Sequence, residues 1–526
     1  MCRLLQLSSV RNSVADKPKI LEKMDNFVLI TPQGKVKGRL KDSCIKYLGV
    51  PYAEAPVGNL QFKAPIEKLE WFGELDATKF ANDPIQHPMY LGCSEDCLYL
   101  NVYVPKCVSL GKIPVVVWLF GGSYVHGGCK GTVAKHGKHG LYDAEMFAVE
   151  NSCIVVTVNY RLGLHGFLYL TGISDKFESN LGLKDIEMAL RWVRRNIDSY
   201  GGDINNVTLW GESAGAALAI AMMCVPSAKD LFHKVISQSA CLESFYTPEE
   251  ATEIAEKYLE YAGVSNLDEI NKYDYKQLTK VVKAIDSYVR ERKFGICSIN
   301  PVVDGEYLKE FPSTSSFADL GKPILIGSNA NEARVFGSVM KGYKHDEVMR
   351  RIFPYFSEEY RQKVLAAYTQ NPKTRDFCDI AGDIMYKVQK YNVADAISVN
   401  NPVYVYQFNY APVIFRLFGW GACHVAELPL LFGNMKPWFR MPLYLGDQTT
   451  AAEVGKRMRK YWGNFIWSGN PNSANNGDHP MEVVWNKYTS TDRNCMNFGK
   501  TDSCLKDQDV ETMQKLQGER HFFVRK

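Results

Sequence analysis

The apolar positions of this chain fall into short, dense runs. Ile113–Phe120 (IPVVVWLF) and Ile154–Tyr160 (IVVTVNY) are near-continuous β-branched and aromatic stretches rather than alternating ones. Such runs predict strands covered on both faces, as inside a parallel sheet. Asn26–Ile30, Lys46–Val50 and Leu98–Val104 predict earlier strands, and Val207–Trp210, Phe232–Ser237, Pro323–Ser328 and Pro402–Tyr410 later ones. Between them the period changes. Leu183–Ile197 puts Ile186, Ala189, Leu190, Val193 and Ile197 on one side of a helix, and Ala451–Trp467 is a second amphipathic helix near the end. Ala214–Cys224, rich in Ala, Leu and Met without a breaker, predicts a buried helix. This alternation predicts a doubly wound α/β fold: a large, mostly parallel central sheet with helices on both faces. Segments 248–300 and 335–395 read as helical excursions capping a site at the carboxyl ends of the strands.

One strand-to-helix junction carries chemistry. Val207–Trp210 runs into Gly211-Glu212-Ser213-Ala214-Gly215, and the Ala-rich helix follows at once. A G-x-S-x-G turn lifts a serine hydroxyl over a helix N-terminus, and the flanking glycines avoid collision with neighbouring backbone. The next amide, Ala214 N–H, can then face a developing oxyanion. The pattern alone arises by chance in roughly one chain in five of this length; the strand before it and the helix after it give it weight. Ser213 as a nucleophile needs a base, and in elbow hydrolases the partners follow in the order Ser, Asp or Glu, His. Glu332 lies in the loop after Pro323–Ser328, and His424 in the loop after Pro402–Tyr410. Three other histidines follow Glu332: His345 in a lysine-bearing polar segment, His479 in an Asn/Gly/Pro loop and His521 in the tail. Position alone favours His424 without excluding them. Gly121-Gly122-Ser123, directly after a strand, is a turn where an acyl oxygen could approach main-chain N–H groups, although Gly-Gly also occurs in plain turns.

The chain has 526 residues, which by length alone would allow about three domains. Without repeats or long linkers it reads as one catalytic unit over 24–526, preceded by a poorly ordered extension over 1–23. The apolar core Leu4–Leu7 of that extension is broken by Gln6 and followed by Arg11, Asp16 and lysines, a poor signal peptide. Basic and acidic residues nearly balance, 62 to 58, and groups such as Arg191–Arg195 are interrupted by apolar residues at helical spacing. They read as solvated helix faces, so no nucleic-acid partner is expected. No apolar run approaches ~18 residues, so no transmembrane segment is expected. The 14 cysteines show no metal-ligand spacing, and Cys129-x6-His136-x2-His139 matches no common zinc pattern. No metal or cofactor is expected, and the loop 129–139 reads as a basic rim. Asn206-Val207-Thr208 is a sequon only by chance, since it enters the elbow strand.

A series of longer motifs is more specific. YLGVPYAEAPVGNLQF (47–62), SEDCLYLNVYVP (94–105), PVVVWLFGGSY (114–124), VNYRLGLHGFL (158–168), YGGDINNVTLWGESAGA (200–216), SNANEA (328–333), GACHVAELPLLFG (421–433) and YWGNFIWSGNPN (461–472) occur in this order. In these motifs the chain resembles the type-B carboxylesterases, the family that includes the cholinesterases, from about Tyr47 to Gly499. The resemblance implies the α/β-hydrolase fold and a cofactor-independent serine esterase acting on a small-molecule ester through an acyl-enzyme. It implies Ser213, Glu332 and His424 as catalytic residues and the amides of Gly122, Ser123 and Ala214 as the oxyanion hole. It also implies a structural ion pair between Arg161 and Asp185.

Departures from the family pattern are as informative. The glycine triplet of the oxyanion turn ends here in Ser123, whose Cβ narrows the pocket unless its φ is compatible. Gln61 replaces an arginine, leaving Glu95 without its usual partner. Cys97 matches a half-cystine whose mate should lie near Pro84–Gln86, where there is no cysteine, which points to a reducing, cytoplasmic compartment or a microbial lineage. The cholinesterase tryptophan that binds choline falls near His87, so choline esters are disfavoured. Gly295 and Cys297 fall where acetylcholinesterases place acyl-pocket phenylalanines, with Phe294 beside them, so a small or medium uncharged ester with an acyl group larger than acetyl is expected. Phe415, Phe418 and Trp420 precede His424 and could line the pocket or pack in the core. Two alternatives stay open: a lipase or sterol-ester hydrolase, and a non-catalytic adhesion protein of the same fold, which the intact set of catalytic residues disfavours. Oligomeric state is not readable.

Overall fold

The computed structural model of the chain describes residues 26–86, 92–106, 111–131, 140–265, 267–270, 275–292, 297–317, 321–337, 357–369, 373–434, 447–473 and 481–516. The segment 1–23, the position near His87, the loop 132–139, Phe294, Gly295, His345, His479 and His521 lie outside them.

Among the described residues, thirteen strands form one sheet. They are β1 (Asn26–Thr31), β2 (Gly34–Lys41), β3 (Cys44–Pro51), β4 (Glu74–Asp76), β5 (Tyr99–Pro105), β6 (Ile113–Leu119), β7 (Ile154–Val158), β8 (Gly202–Glu212), β9 (Lys234–Gln238), β10 (Ile324–Asn329), β11 (Val403–Phe408), β12 (Cys495–Phe498) and β13 (Ser503–Leu505). The spatial order is β1-β2-β3-β5-β7-β6-β8-β9-β10-β11-β12-β13, with β4 beside β2. From β7 through β12 every neighbour is parallel. β6 and β7 are buried at every position, as their unbroken apolar runs require. The main edge strands β1, β2, β3 and β5 pair antiparallel. β2 (GKVKGRLK) was not predicted, because its apolar residues are spaced among lysines and an arginine. β12 and β13 are too short to stand out in sequence.

The predicted helices form with ends shifted by a few residues. They include α1 (Leu181–Asn196), α2 (Ala214–Met223) and, later, a closing helix over Gln448–Ser468. α2 is buried at every position beneath the sheet. The first excursion contains Pro248–Ala262, which starts at a Thr247/Glu250 capping box and ends at Gly263 in the left-handed region, and then Tyr275–Arg292. The second contains Glu358–Tyr368, Thr374–Gly382, a π-helical turn over Asp383–Val388 and Gln389–Ile397. It carries its own apolar core, built on Phe377, Ile380, Ile384, Tyr386 and Val388, apart from the main one and joined by Leu516 from the C-terminal segment. No described helix is long and apolar enough to cross a membrane.

Candidate active site

The elbow at the end of β8 is fixed by close backbone approach. A Cβ on Gly211 would run into the carbonyl of Gly215, and one on Gly215 would meet the carbonyls of Leu119 and Phe120, the latter at 2.6 Å. Only glycine fits at either position. Between them Ser213 is held at φ 55°, ψ −124°, outside the regions open to ordinary residues, and its N–H donates to the Gln238 carbonyl at 2.8 Å. The residue that caps α2 is therefore Ser213, with Ala214 N–H at the first helical position.

Glu332 opens a short 3₁₀ turn just after β10, and His424 follows β11. Their loops are tied together by His424 N–H donating to the Glu332 carbonyl at 3.1 Å. His424 Nδ1 lies 2.7 Å from Glu332 Oε2. The other carboxylate oxygen, Oε1, accepts from Ser239 Oγ at 2.5 Å and from Asn329 N–H at 2.6 Å. Glu332, Ser239 and Asn329 are all buried, so the carboxylate that faces the imidazole is locked by donors on its far side. The lattice extends one layer deeper. Asn329 Nδ2 and Gln238 Nε2 donate to Glu427 at 2.5 and 2.8 Å, while Trp210 and Trp462 donate to Gln238 Oε1 at 2.5 and 3.2 Å.

His424 Nε2 lies 3.2 Å from Glu212 Oε1. Among the described residues no hydrogen bond joins Ser213 Oγ to the imidazole. The structure thus brings His424 and Glu332 into direct contact and leaves Ser213 on the elbow, next in the chain to the Glu212 whose carboxyl meets Nε2. Glu212, not singled out in the sequence, is fully buried between Gly121 and the imidazole. Burial pushes its carboxyl up to about 8, against the pull of His424. Burial alone would push His424 down; the carboxyls of Glu212 and Glu332 outweigh it and raise the imidazole to about 9. Glu212, His424 and Glu332 thus form a buried carboxyl–imidazole–carboxyl row.

The turn after β6 faces the elbow. A Cβ on Gly121 would sit 2.7 Å from Glu212 Oε2 and 2.8 Å from Ser213 Cβ. Gly122 has φ 126°, and its carbonyl accepts from Val125 and His126, both at 3.1 Å. Ser123 and Tyr124 follow at φ 53° and 62°. Ser123 thus adopts the left-handed conformation that the family glycine would take freely, at a cost of about 1 kcal/mol. Tyr124 is pinned by its hydroxyl on Ser244 Oγ at 2.8 Å and by its carbonyl accepting from Gly163 N–H at 2.7 Å. Among the described residues no carbonyl receives the N–H groups of Gly122, Ser123 or Ala214.

A protein-family model described as the carboxylesterase family matches residues 25–519. The chain belongs to the carboxylesterase family. It is 31% identical over 507 residues to a para-nitrobenzyl esterase of Bacillus subtilis, covering 94% of this chain and 99% of that protein. It is also 31% identical to acetylcholinesterase 1 of Caenorhabditis elegans, over 86% of this chain and 80% of that one. Among solved structures it superposes on a PNB esterase with a TM-score of 0.80 at 30% identity, over 93% of this chain and 99% of the other. A Geobacillus stearothermophilus carboxylesterase gives 0.79 at 28%, with 93% and 100% covered. The fold is the α/β-hydrolase fold, and the protein is a carboxylic ester hydrolase.

Against the carboxylesterase pattern, several expectations resolve. Arg161 and Asp185 form a buried bidentate pair, with Nη2–Oδ1 at 2.6 Å and Nε–Oδ2 at 2.8 Å. The expectation that Glu95 loses its partner is corrected: Gln61 Nε2 donates to Glu95 Oε2 at 2.5 Å, a neutral amide doing what a guanidinium would do. Cys97 is buried with a free thiol. Asn206 of the sequon donates to the Trp467 carbonyl and accepts from Lys234, so both ends of its amide are in use. Cys297 is half-buried beside the Ser123 side chain, and burial pushes its thiol up to about 11. Trp420 packs instead on Phe415 and Phe418, at 5.5 and 5.1 Å between ring centroids. The rings against His424 are Tyr386 at 4.9 Å and Phe336 at 5.7 Å. Nothing in the sequence marked either, because Phe336 lies just past the acidic loop and Tyr386 reaches the site from the second excursion.

Proposed function

We propose that Ser213 is the nucleophile of this esterase, His424 its general base and acid, and Glu332 the group that fixes the imidazole. The observation that carries this reading is the locked Glu332–His424 pair whose imidazole meets Glu212, the residue before Ser213 on the strained elbow. Glu332 Oε2 against Nδ1 selects the tautomer with the proton on Nδ1, leaving Nε2 to accept. Substrate binding must turn Nε2 from Glu212 toward Ser213 Oγ, a tightening common between free and substrate-bound sites. Ser213 Oγ then adds to the ester carbonyl, His424 takes its proton and returns it to the departing alkoxide, and the alcohol leaves. Water deacylates by the same route. The free amides of Gly122, Ser123 and Ala214 are the donors for the tetrahedral oxyanion.

For the substrate, we infer a neutral ester of small or medium size with an acyl chain longer than acetyl. Cys297 beside Ser123 supports this, since a thiol fills far less of the acyl side than a phenyl ring. The test is pre-steady-state hydrolysis of p-nitrophenyl butyrate. A burst of nitrophenol equal to the enzyme concentration is expected, and a linear trace at every temperature and pH where turnover occurs, with no acyl-enzyme trapped by acid quench, would refute the two-step route.

A further inference from the structure

One face of the His424 imidazole is covered by Tyr386, inclined 38° to it. Tyr386 is buried and sits in the π-helical turn Asp383–Val388. A π-helical turn carries an extra residue and persists only where its surroundings hold it. Here those surroundings are charged. Lys387 Nζ lies 2.7 Å from Asp383 Oδ1 and 3.5 Å from Asp509 Oδ1. Lys390 Nζ lies 3.5 Å from Asp509 Oδ2 and 4.8 Å over the Tyr391 ring. The Tyr391 hydroxyl donates to Asp509 Oδ2 at 2.7 Å. Asp383, Lys387, Lys390 and Asp509 are each less than a tenth exposed. Two cations and two anions balance, and among the described residues Asp509 is the one anion paired with both lysines. Asp509 belongs not to the cap helices but to the C-terminal segment, whose Leu516 joins the cap core that includes Tyr386.

We propose that Asp509 is a positioning residue for ester hydrolysis: by neutralising Lys387 and Lys390 it holds the π-helical turn, and through it the Tyr386 ring, against His424. The inference rests on the reading of His424 as the general base. The imidazole has to keep Nδ1 on Glu332 while Nε2 passes from Glu212 to Ser213, and a ring packed on its face restrains it to that plane. Removing Asp509 leaves two buried ammonium groups with one carboxylate, so the turn must shift to solvate them.

Active sites are titrated with a fluorophosphonate, so that misfolding lowers the titre whereas mispositioning lowers kcat per titrated site. Asp509→Asn is expected to lower kcat per site about tenfold with KM changed less than about twofold. Tyr391→Phe keeps the ring but removes its hydrogen bond to Asp509, gives about a threefold loss and serves where Asp509→Asn does not fold. Tyr386→Phe keeps the ring and stays within about twofold of wild type, whereas Tyr386→Ala loses about tenfold. Adding Asp509→Asn or Tyr391→Phe to Tyr386→Ala should cost nothing more, because both act through one ring. Losses that multiply in the double variants, or wild-type kcat per site in both Asp509→Asn and Tyr391→Phe, would overturn the proposal. A wild-type protein that takes up no fluorophosphonate overturns the serine reading instead.

Discussion

Two regions meet at His424 and hold their side chains by different means. On the sheet side, Ser213 stands between Gly211 and Gly215, where main chain packs on main chain and a single added Cβ collides with a carbonyl. On the cap side, Tyr386 rides a π-helical turn above a buried cluster of lysines and aspartates. Backbone contact leaves no freedom, whereas an ionic interior holds position only while its charges balance. On the proposed reading, Ser213 is thus placed by sterics and His424 is restrained in part by electrostatics.

The largest effect belongs to the sheet side. Ser213→Ala should reduce kcat by about 10⁴–10⁶ with the fold intact, and His424→Ala or Glu332→Gln combined with it should add little, since the three act as one unit. Circular dichroism and steady-state rates on matched samples check this; a Tyr386→Ala loss as large as that of Ser213→Ala would erase the distinction between the two regions. Next come two glycines. Gly215→Ala drives a methyl into two carbonyls and should cost about 3 kcal/mol or more. Gly382→Ala, in the cap, meets the Ala333 amide at 3.3 Å and Glu332 Cβ at 3.4 Å, and a better helix former offsets that crowding, so a change within about 1 kcal/mol is expected. Urea midpoints compare them, and equal losses would contradict the contrast.

A smaller effect sharpens the electrostatics. The carboxyl of Glu212 helps raise His424, so the imidazole keeps its proton to higher pH and the accepting form appears later. Glu212→Gln removes that charge, lowers the His424 value and should move the acid limb of kcat/KM to lower pH by about one unit. A limb that stays put or moves upward would show that Glu212 does not share the proton. The smallest expected effect is in specificity. Each methylene added from acetyl to butyryl to hexanoyl should raise kcat/KM by about fourfold at most, from ~0.8 kcal/mol of burial beside Cys297. A steady fall from acetyl upward, or a tenfold preference for choline over an isosteric neutral ester, would show the acyl side closed or a cation platform present.

The same contrast explains what could be read from the chain. β6, β7 and the elbow are legible because continuous apolar runs and glycine spacing are local signals. Strand position favours Glu332 and His424 without excluding other histidines, and the family motifs SNANEA and GACHVAELPLLFG point to this pair; their 2.7 Å contact follows from the pairing of β10 with β11. The deeper lattice of Gln238, Asn329 and Glu427 is not, since a polar residue at a strand end reads as solvated until its burial is known. Tyr386 and Asp509 were invisible for a stronger reason. They are brought together by cap packing across more than a hundred residues, with no periodic pattern linking them. Gln61 is not legible as a partner of Glu95, because a missing arginine reads as a lost ion pair, whereas the shorter amide reaches the carboxylate.

The central claim, that Ser213 is the group acylated in each turnover, is tested most directly by mapping a covalent adduct. The protein is inactivated with diisopropyl fluorophosphate, digested, and the modified peptide sequenced by mass spectrometry. The account predicts one phosphoryl group per chain, on Ser213 in the peptide containing Gly211–Gly215, appearing in step with loss of activity and absent in His424→Ala over the same time. Full inactivation with the adduct on another residue, or undiminished turnover with Ser213 fully modified, would contradict it.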